Sequence, residues 1–262
     1  MMQDRRASAL AGRTLSQVLR LEVDMATFVL VPGAWLGGWC WQRVTPGLRA
    51  AGHAVYTPTL TGLGERVHLA RPEVDLDTHI QDVVNVLEYE DLREVFLIGH
   101  SYSGMVVTSV VDRVPERVRR LVYLDAMTPQ DAQAFFDFWS PEGRAAVEAE
   151  ARAAGEGWRW PMPSDQQGLD DVSEADRRWL RAKAAPQPLG TFSQPARLTN
   201  PAGFAVPRAY ILCTLGREHD PVPALIRQMS AELGWELREI ATGHWPMISA
   251  PVLVVEVLLE LA

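Results

Sequence analysis

Ser101 sits in a run of small and polar residues, Gly99-His100-Ser101-Tyr102-Ser103-Gly104, between two apolar stretches. The hydrophobic spacing changes there from strand period to helix period. A serine at such a junction reads as a nucleophile elbow, in which a buried strand ends, the chain reverses and a helix begins. Small neighbours are needed because strand and helix pass close together. The serine Oγ then lies at a helix N-terminus, where free N–H groups and the helix dipole favour a developing negative charge. The motif departs from Gly-x-Ser-x-Gly at Ser103. A serine hydroxyl is a weak nucleophile and needs a base. His244, in Thr242-Gly243-His244-Trp245-Pro246-Met247, follows the last strand pattern and precedes the last helix, which puts it at the same sheet edge as Ser101. His53, beside a turn, and His79, on an amphipathic helix, read as ordinary; His68 lies in a loop, and His100 adjoins Ser101 with a diverging side chain. A carboxylate must hold the imidazole tautomer. Asp220, just past the penultimate strand, is the expected acid; Asp125, ending the strand after the elbow helix, and Glu218, in the Asp220 loop, are the alternatives. Two oxyanion donors are expected from the backbone: the N–H of Tyr102, and that of Ala34 in the Gly-rich loop Pro32 to Gly38.

Elements in the right order must bring these residues together. Phe28–Val31, Ala54–Thr57, Val95–Ile98 and Val118–Leu124 read as strands, with helices expected over Trp39–Ala51, Leu76–Glu88 and the elbow helix to Val114. Near-continuous apolar strands alternating with helices predict a mostly parallel sheet with helices on both faces. The alternation lapses between about 128 and 204, where helices are expected near Pro129–Trp139, Pro141–Ala154 and Ser173–Ala184 and no strand is clear. It resumes with strand Arg208–Thr214, helix Val222–Gly234, strand Trp235–Ile240 and helix Ala250–Leu261. A helical insertion at that place is a cap over the C-terminal strand ends, where such sheets bind ligands. The organisation is therefore one domain, 25–262, with a cap at about 128–204. Residues 1–24 form an N-terminal extension, disordered or holding a short helix through Leu15–Leu21. That extension carries arginines but no long apolar core and no small-residue cleavage site, so it makes a poor secretory signal.

Composition narrows the function classes. A formal net charge of −8 argues against a nucleic-acid groove, and no apolar run approaches a membrane span. The two cysteines, Cys40 and Cys213, lie in apolar stretches and imply no disulfide framework, so a cytoplasmic setting is the default. No phosphate loop, dinucleotide fingerprint or metal-ligand spacing occurs, and no cofactor or metal is expected.

The segments Phe28-Val29-Leu30-Val31-Pro32-Gly33-Ala34-Trp35, Gly38-Trp39-Cys40-Trp41, Thr59-Leu60-Thr61-Gly62, Gly99-His100-Ser101-Tyr102, Leu121 to Ala126 and Gly243-His244 resemble the α/β-hydrolase superfamily. Within it, the chain is most similar to the esterase branch that holds plant methylesterases, hydroxynitrile lyases and their bacterial relatives. The resemblance implies an α/β-hydrolase fold and the order nucleophile, acid, histidine. It places the acid in the Asp220 loop, although some members use the position of Asp125. Three departures stand out. Pro32-Gly33 replaces the usual His-Gly, Ser103 replaces a glycine, and Trp245 fills the place where the lyases carry a lysine. The last departure points away from cyanohydrin cleavage and toward ester hydrolysis.

Trp35, Trp139, Trp158, Trp160 and Trp245 come from the oxyanion loop, the cap and the histidine loop, and are expected to line the pocket with Phe135, Phe136 and Met247. Such walls suit apolar or aromatic groups, and no basic cluster in the cap suggests an anionic substrate. The function expected is a serine carboxylesterase working through an acyl-enzyme, with a small-molecule ester as partner and homodimerisation left open. The alternatives are a lyase, C–C hydrolase or secondary-metabolite tailoring hydrolase or cyclase on the same triad, and a small-molecule receptor on the same fold.

Overall fold

A computed structural model describes residues 25–164 and 168–262; the N-terminal extension and its expected helix lie outside the described residues. Strands β1 (Thr27–Val31), β2 (Ala54–Tyr56), β3 (Val95–His100) and β4 (Val118–Leu124) alternate with helices α1 (Thr45–Ala50), α2 (Leu76–Tyr89) and α3 (Ser103–Arg113). The insertion holds α4 (Pro141–Ala154), β5 (Arg159–Trp160), α5 (Glu174–Lys183), β6 (Gln187–Pro188), α6 (Gly190–Ser193) and α7 (Pro201–Ala205). Strand β7 (Arg208–Cys213), helix α8 (Val222–Leu233), strand β8 (Glu236–Ile240) and helices α9 (Pro246–Ser249) and α10 (Pro251–Glu260) close the chain.

Six strands form one sheet in the order β2-β1-β3-β4-β7-β8, every adjacent pair parallel. Strands β1, β3 and β7 are almost wholly buried, which accounts for their unbroken apolar sequences. The chain leaves β1 toward β2, then returns to place β3 on the other side of β1. This reversal opens a crevice at the carboxyl ends of β1 and β3, the usual ligand position in such a sheet. The registers Val31↔Gly99 and His100↔Leu124 bring the loops after β1, β3 and β4 to one level.

Three expected elements come out differently. The segment Trp39–Ala51 is a 3-10 turn over Gly38–Trp41 followed by α1, with Pro46 in its first turn. Pro129–Trp139 is extended loop apart from a 3-10 turn over Phe135–Phe138. The insertion also contains a short antiparallel pair, Arg159↔Pro188 and Trp160↔Gln187; two-residue strands leave no period in a sequence.

The insertion is fastened to the sheet edge by hydrogen bonds. Fully buried Gln187 accepts the Trp35 N–H at 3.0 Å, and its amide donates to Thr191 Oγ1 at 2.7 Å. Ala185 N–H donates to the Trp35 carbonyl at 2.9 Å. On the other side, His244 N–H donates to the Gly168 carbonyl at 3.1 Å and Gly243 N–H to Asp171 at 2.8 Å. Gly168 has φ 74°, and a Cβ there would stand 2.6 Å from the His244 Cβ. Among the described residues no helix is long and apolar enough to cross a membrane.

Candidate active site

Three strand ends each carry a non-glycine residue in the left-handed region: Trp35 after β1 (φ 65°), Ser101 after β3 (φ 55°) and Asp125 after β4 (φ 45°). Such backbone costs about 1–3 kcal/mol per residue and persists only where its surroundings hold it. Here they do. Ser101 N–H donates to the Leu124 carbonyl and Met127 N–H to the Ser101 carbonyl, while Asp125 N–H donates to Ile211 at 2.8 Å. Small residues make the elbow fit. A Cβ on Gly99 would meet Val107 at 2.5 Å, and one on Gly104 would overlap the Met127 carbonyl oxygen at 1.9 Å.

The Ser101 hydroxyl donates to His244 Nε2 at 2.9 Å, and His244 Nδ1–H donates to Asp125 Oδ2 at 2.5 Å. The acid on the histidine is therefore Asp125, one of the two alternatives, and not Asp220. Asp220 instead accepts the Val222 N–H at 2.9 Å, just ahead of α8. Glu218 is exposed in the same loop. The physical reason is position along the sheet edge: Asp125 stands one residue past Leu124, level with Ser101, while Asp220 is seven residues beyond the end of β7. What the Asp220 loop contributes is Arg217. Its guanidinium grips Asp125 with two parallel bonds, Nη1 to Oδ1 at 2.9 Å and Nη2 to Oδ2 at 2.7 Å. Cys213 N–H adds a longer contact to Oδ1 at 3.4 Å. Burial pushes the Asp125 carboxyl up, but the hydrogen bond and charge of His244, then the charge of Arg217, outweigh it and hold the group below the usual carboxylate range.

The other histidines are not bases, but two matter. His100 is fully buried, and its Nε2–H donates to the His244 carbonyl at 2.7 Å. Burial first, then repulsion from His244, push its pKa down to about 3. His79, ordinary by its place on an amphipathic helix, is also fully buried. Its Nε2–H donates to the Thr61 carbonyl at 2.9 Å and its Nδ1 accepts from the Tyr102 hydroxyl at 3.0 Å. Asp82 holds both the N–H and the hydroxyl of Thr61, at 2.6 and 2.8 Å.

Among the described residues the N–H groups of Ala34 and Tyr102 have no hydrogen-bond acceptor. The neighbouring Trp35 N–H is taken by Gln187. Two of the sequence departures meet here: the Ser103 hydroxyl donates to the Pro32 carbonyl. The side chain that replaces a glycine thus ties the elbow helix to the Gly-rich loop in which Pro32-Gly33 replaces His-Gly.

Trp35, Trp139 and Trp160 join Tyr102, Phe135, Phe136 and Phe192 in one aromatic cluster beside the elbow, with ring centroids 5.0 Å apart for Trp35–Trp160 and 5.7 Å for Trp139–Trp160. Trp245 is buried beside His100 and His244, at 5.4 and 5.3 Å. Trp158 does not join them. It stands in the turn before β5, where it lies under Arg159 and donates to Glu156. Met247 is buried in α9.

A polar cleft of about 820 Å³ opens beside His244, lined in part by Arg177, Arg181, Arg217, Asp170 and Asp220. The sequence reading found no basic cluster in the cap. Arg177 and Arg181 share a face of α5 and meet Arg217 only in space. Each is engaged: Arg177 donates to the Leu169 and Val172 carbonyls and Arg181 to that of Ser164. Arg217, Gln187, His79 and Asp171 are the site residues that sequence reasoning missed. A lone cation in the expected acid loop was the signal for Arg217; the others left none. Among the described residues no group of His, Cys, Asp and Glu is placed to hold a metal ion.

A serine on a strained elbow, a histidine–carboxylate pair and two free backbone donors lie in a chain that is similar to known proteins. The chain is 38% identical over 235 residues to a carbendazim hydrolyzing esterase of Nocardioides sp. (strain SG-4G), covering 87% of this chain and 96% of that protein. It is 27% identical to methylesterase 2 of Arabidopsis thaliana, over 90% and 95% of the two chains. The solved structure of an extracellular alpha/beta-hydrolase from a Paenibacillus species, described as sharing structural and functional homology with tobacco salicylic acid binding protein 2, superposes with a TM-score of 0.75 at 25% identity, over 90% of this chain and 98% of that one. Residues 28–257 match the alpha/beta hydrolase family from the first strand into the last helix, and the chain belongs to that family.

Proposed function

We propose that the protein is a serine carboxylesterase acting on small esters with apolar or aromatic groups. The observation that carries this reading is the relay Ser101 Oγ–His244 Nε2 at 2.9 Å and His244 Nδ1–Asp125 Oδ2 at 2.5 Å. His244 Nε2 takes the Ser101 proton as Oγ bonds to the ester carbonyl carbon. The carbonyl oxygen gathers negative charge opposite the N–H groups of Ala34 and Tyr102. As the tetrahedral intermediate collapses, the imidazolium returns the proton to the departing alkoxide, leaving an acyl-serine. A water, deprotonated by the same imidazole, then attacks the acyl carbon, and the acid leaves as Ser101 regains its proton. Asp125 holds the tautomer and favours the imidazolium at each stage. The aromatic cluster of Trp35, Trp139, Trp160 and Phe135 supplies an apolar wall next to the elbow, and the esterase names of the relatives support the same class.

The test is a panel of p-nitrophenyl esters of graded acyl size, aryl and methyl esters, and carbendazim, the compound named for the 38% identical relative. Wild-type protein is expected to turn over apolar and aromatic esters, and Ser101→Ala to lose that turnover by at least about 10³-fold. Undiminished turnover in Ser101→Ala would sink the proposal.

A further inference from the structure

Arg217 stands in the loop after β7, where the family resemblance leads one to expect an acid, and it makes a two-pronged bond to the acid that His244 does use. The Asp125 side chain is 1% exposed and that of Arg217 23%, so the pair is largely shielded from water. A planar guanidinium on both carboxylate oxygens fixes the plane of the carboxylate as well as its charge. That plane decides whether Oδ2 points at His244 Nδ1. The remaining bonds to Asp125 cannot do this alone, since the Cys213 N–H lies at 3.4 Å and the Asp125 backbone is in the left-handed region.

We propose that Arg217 is a positioning residue for the ester-hydrolysis reaction: it fixes the carboxylate plane of Asp125 and offsets part of the charge by which Asp125 favours the His244 imidazolium. The proposal rests on the Ser101–His244–Asp125 reading. It goes beyond that reading by adding a fourth member, a charged one, bonded to both oxygens of the acid.

The other groups facing this cluster do not supply the same charge. From the end of β3, the buried His100 ring lies 4.8 Å from that of His244 and stays neutral. From β7, the Cys213 thiol and the Tyr210 phenol are pushed up by burial and carry no charge. From the insertion, Asp171 is engaged by the Gly243 N–H, while Asp170, Arg177 and Arg181 lie along the cleft. His219 borders the same cleft, and Asp220 is 3.8 Å from Arg217 Nε. Arg217 is the group that touches both oxygens of Asp125.

Removing the guanidinium charge leaves Asp125 less compensated, so the imidazolium becomes more stable. Deprotonation to the active base then requires higher pH. The experiment measures kcat and KM for p-nitrophenyl butyrate from pH 5 to 9 on wild type, Arg217→Met, Arg217→Gln, Arg217→Lys and Asp125→Asn, with circular dichroism to establish the fold. In Arg217→Met and Arg217→Gln the acid limb of kcat/KM is expected to move up by about one pH unit and plateau kcat to fall about tenfold, with KM within about twofold. Arg217→Gln keeps hydrogen-bond donors and serves if the methionine variant does not fold. Arg217→Lys restores the charge without the fork, so its limb is expected near wild type while kcat stays reduced. An unmoved limb in folded Arg217→Gln overturns the proposal, whether kcat is retained or falls, because a fall alone is what a loop brace would give. If Asp125→Asn keeps full turnover, the triad reading itself fails. If Asp125→Asn is inactive and the arginine variants behave as wild type, the Arg217 proposal alone fails.

Discussion

The left-handed backbone of Asp125 turns its carboxylate along the sheet edge toward His244, and that turn separates Asp125 from Asp220 as a partner. Asp220 is engaged at the start of α8, 3.8 Å from the flank of Arg217. Asp125→Asn is therefore expected to lower kcat by roughly 10³–10⁴, because an amide cannot hold the imidazole tautomer that Ser101 needs. Asp220→Asn is expected to keep kcat within about threefold, since an asparagine oxygen can still accept the Val222 N–H. Paired kinetics on the two variants checks both; the reverse ranking would return the acid to the loop after β7.

The elbow helix α3 is held at two points, where Gly104 abuts the Met127 carbonyl and where Ser103 donates to Pro32. The second point links the helix that carries the nucleophile to the loop that carries Ala34. Ser103→Ala removes that donor and leaves the Pro32 carbonyl buried beside a methyl group. The expected cost is about 1–2 kcal/mol of stability, as for a lost buried hydrogen bond. A several-fold fall in kcat should accompany it, as the oxyanion donors lose their fixed spacing. Thermal melts and kcat of Ser103→Ala and Ser103→Gly read both quantities. Wild-type values for both would mean the hydroxyl contact holds nothing in place. Gly104→Ala makes a harsher change, because the clash is with backbone and nothing flexible can yield; its expected result is loss of soluble folded protein.

Two buried histidines join the catalytic edge to the stability of the whole molecule. His79 and His100 are held neutral, with pKa values pushed down to about 4 and about 3, burial being the first cause in each. In the unfolded chain each titrates near 6.5. Between those values the unfolded state binds the extra proton, so acid favours unfolding. The stability is fully present above about pH 6.5 and falls as pH drops, by about 1.4 kcal/mol per pH unit for each histidine, until His79 levels off near pH 4. Asp125, held below the usual carboxylate range, adds a loss of the same sign only below about pH 4. Urea unfolding of wild type and His79→Gln at intervals between pH 7 and 4.5 checks this. The slope of unfolding free energy against pH should be about halved in the variant, and parallel slopes would contradict it.

Residue order alone carried the fold and half the site. Unbroken apolar strands, helices of period 3.6 and the small residues around Ser101 are local signals, because they follow from what each segment must bury or approach. They located β1, β3, β4, β7, the elbow and the loop of His244, and they gave Asp125 as an alternative acid. The tertiary structure decided which carboxylate meets the imidazole, since that depends on the offset between β4 and β7 across the sheet. It also decided that His79 is a buried brace under Tyr102 and that Gln187 pins the loop carrying Ala34. Arg217 takes the place expected of an acid. These are contacts between residues tens of positions apart, and a single chain of letters records neither their distance nor the direction in which a side chain points.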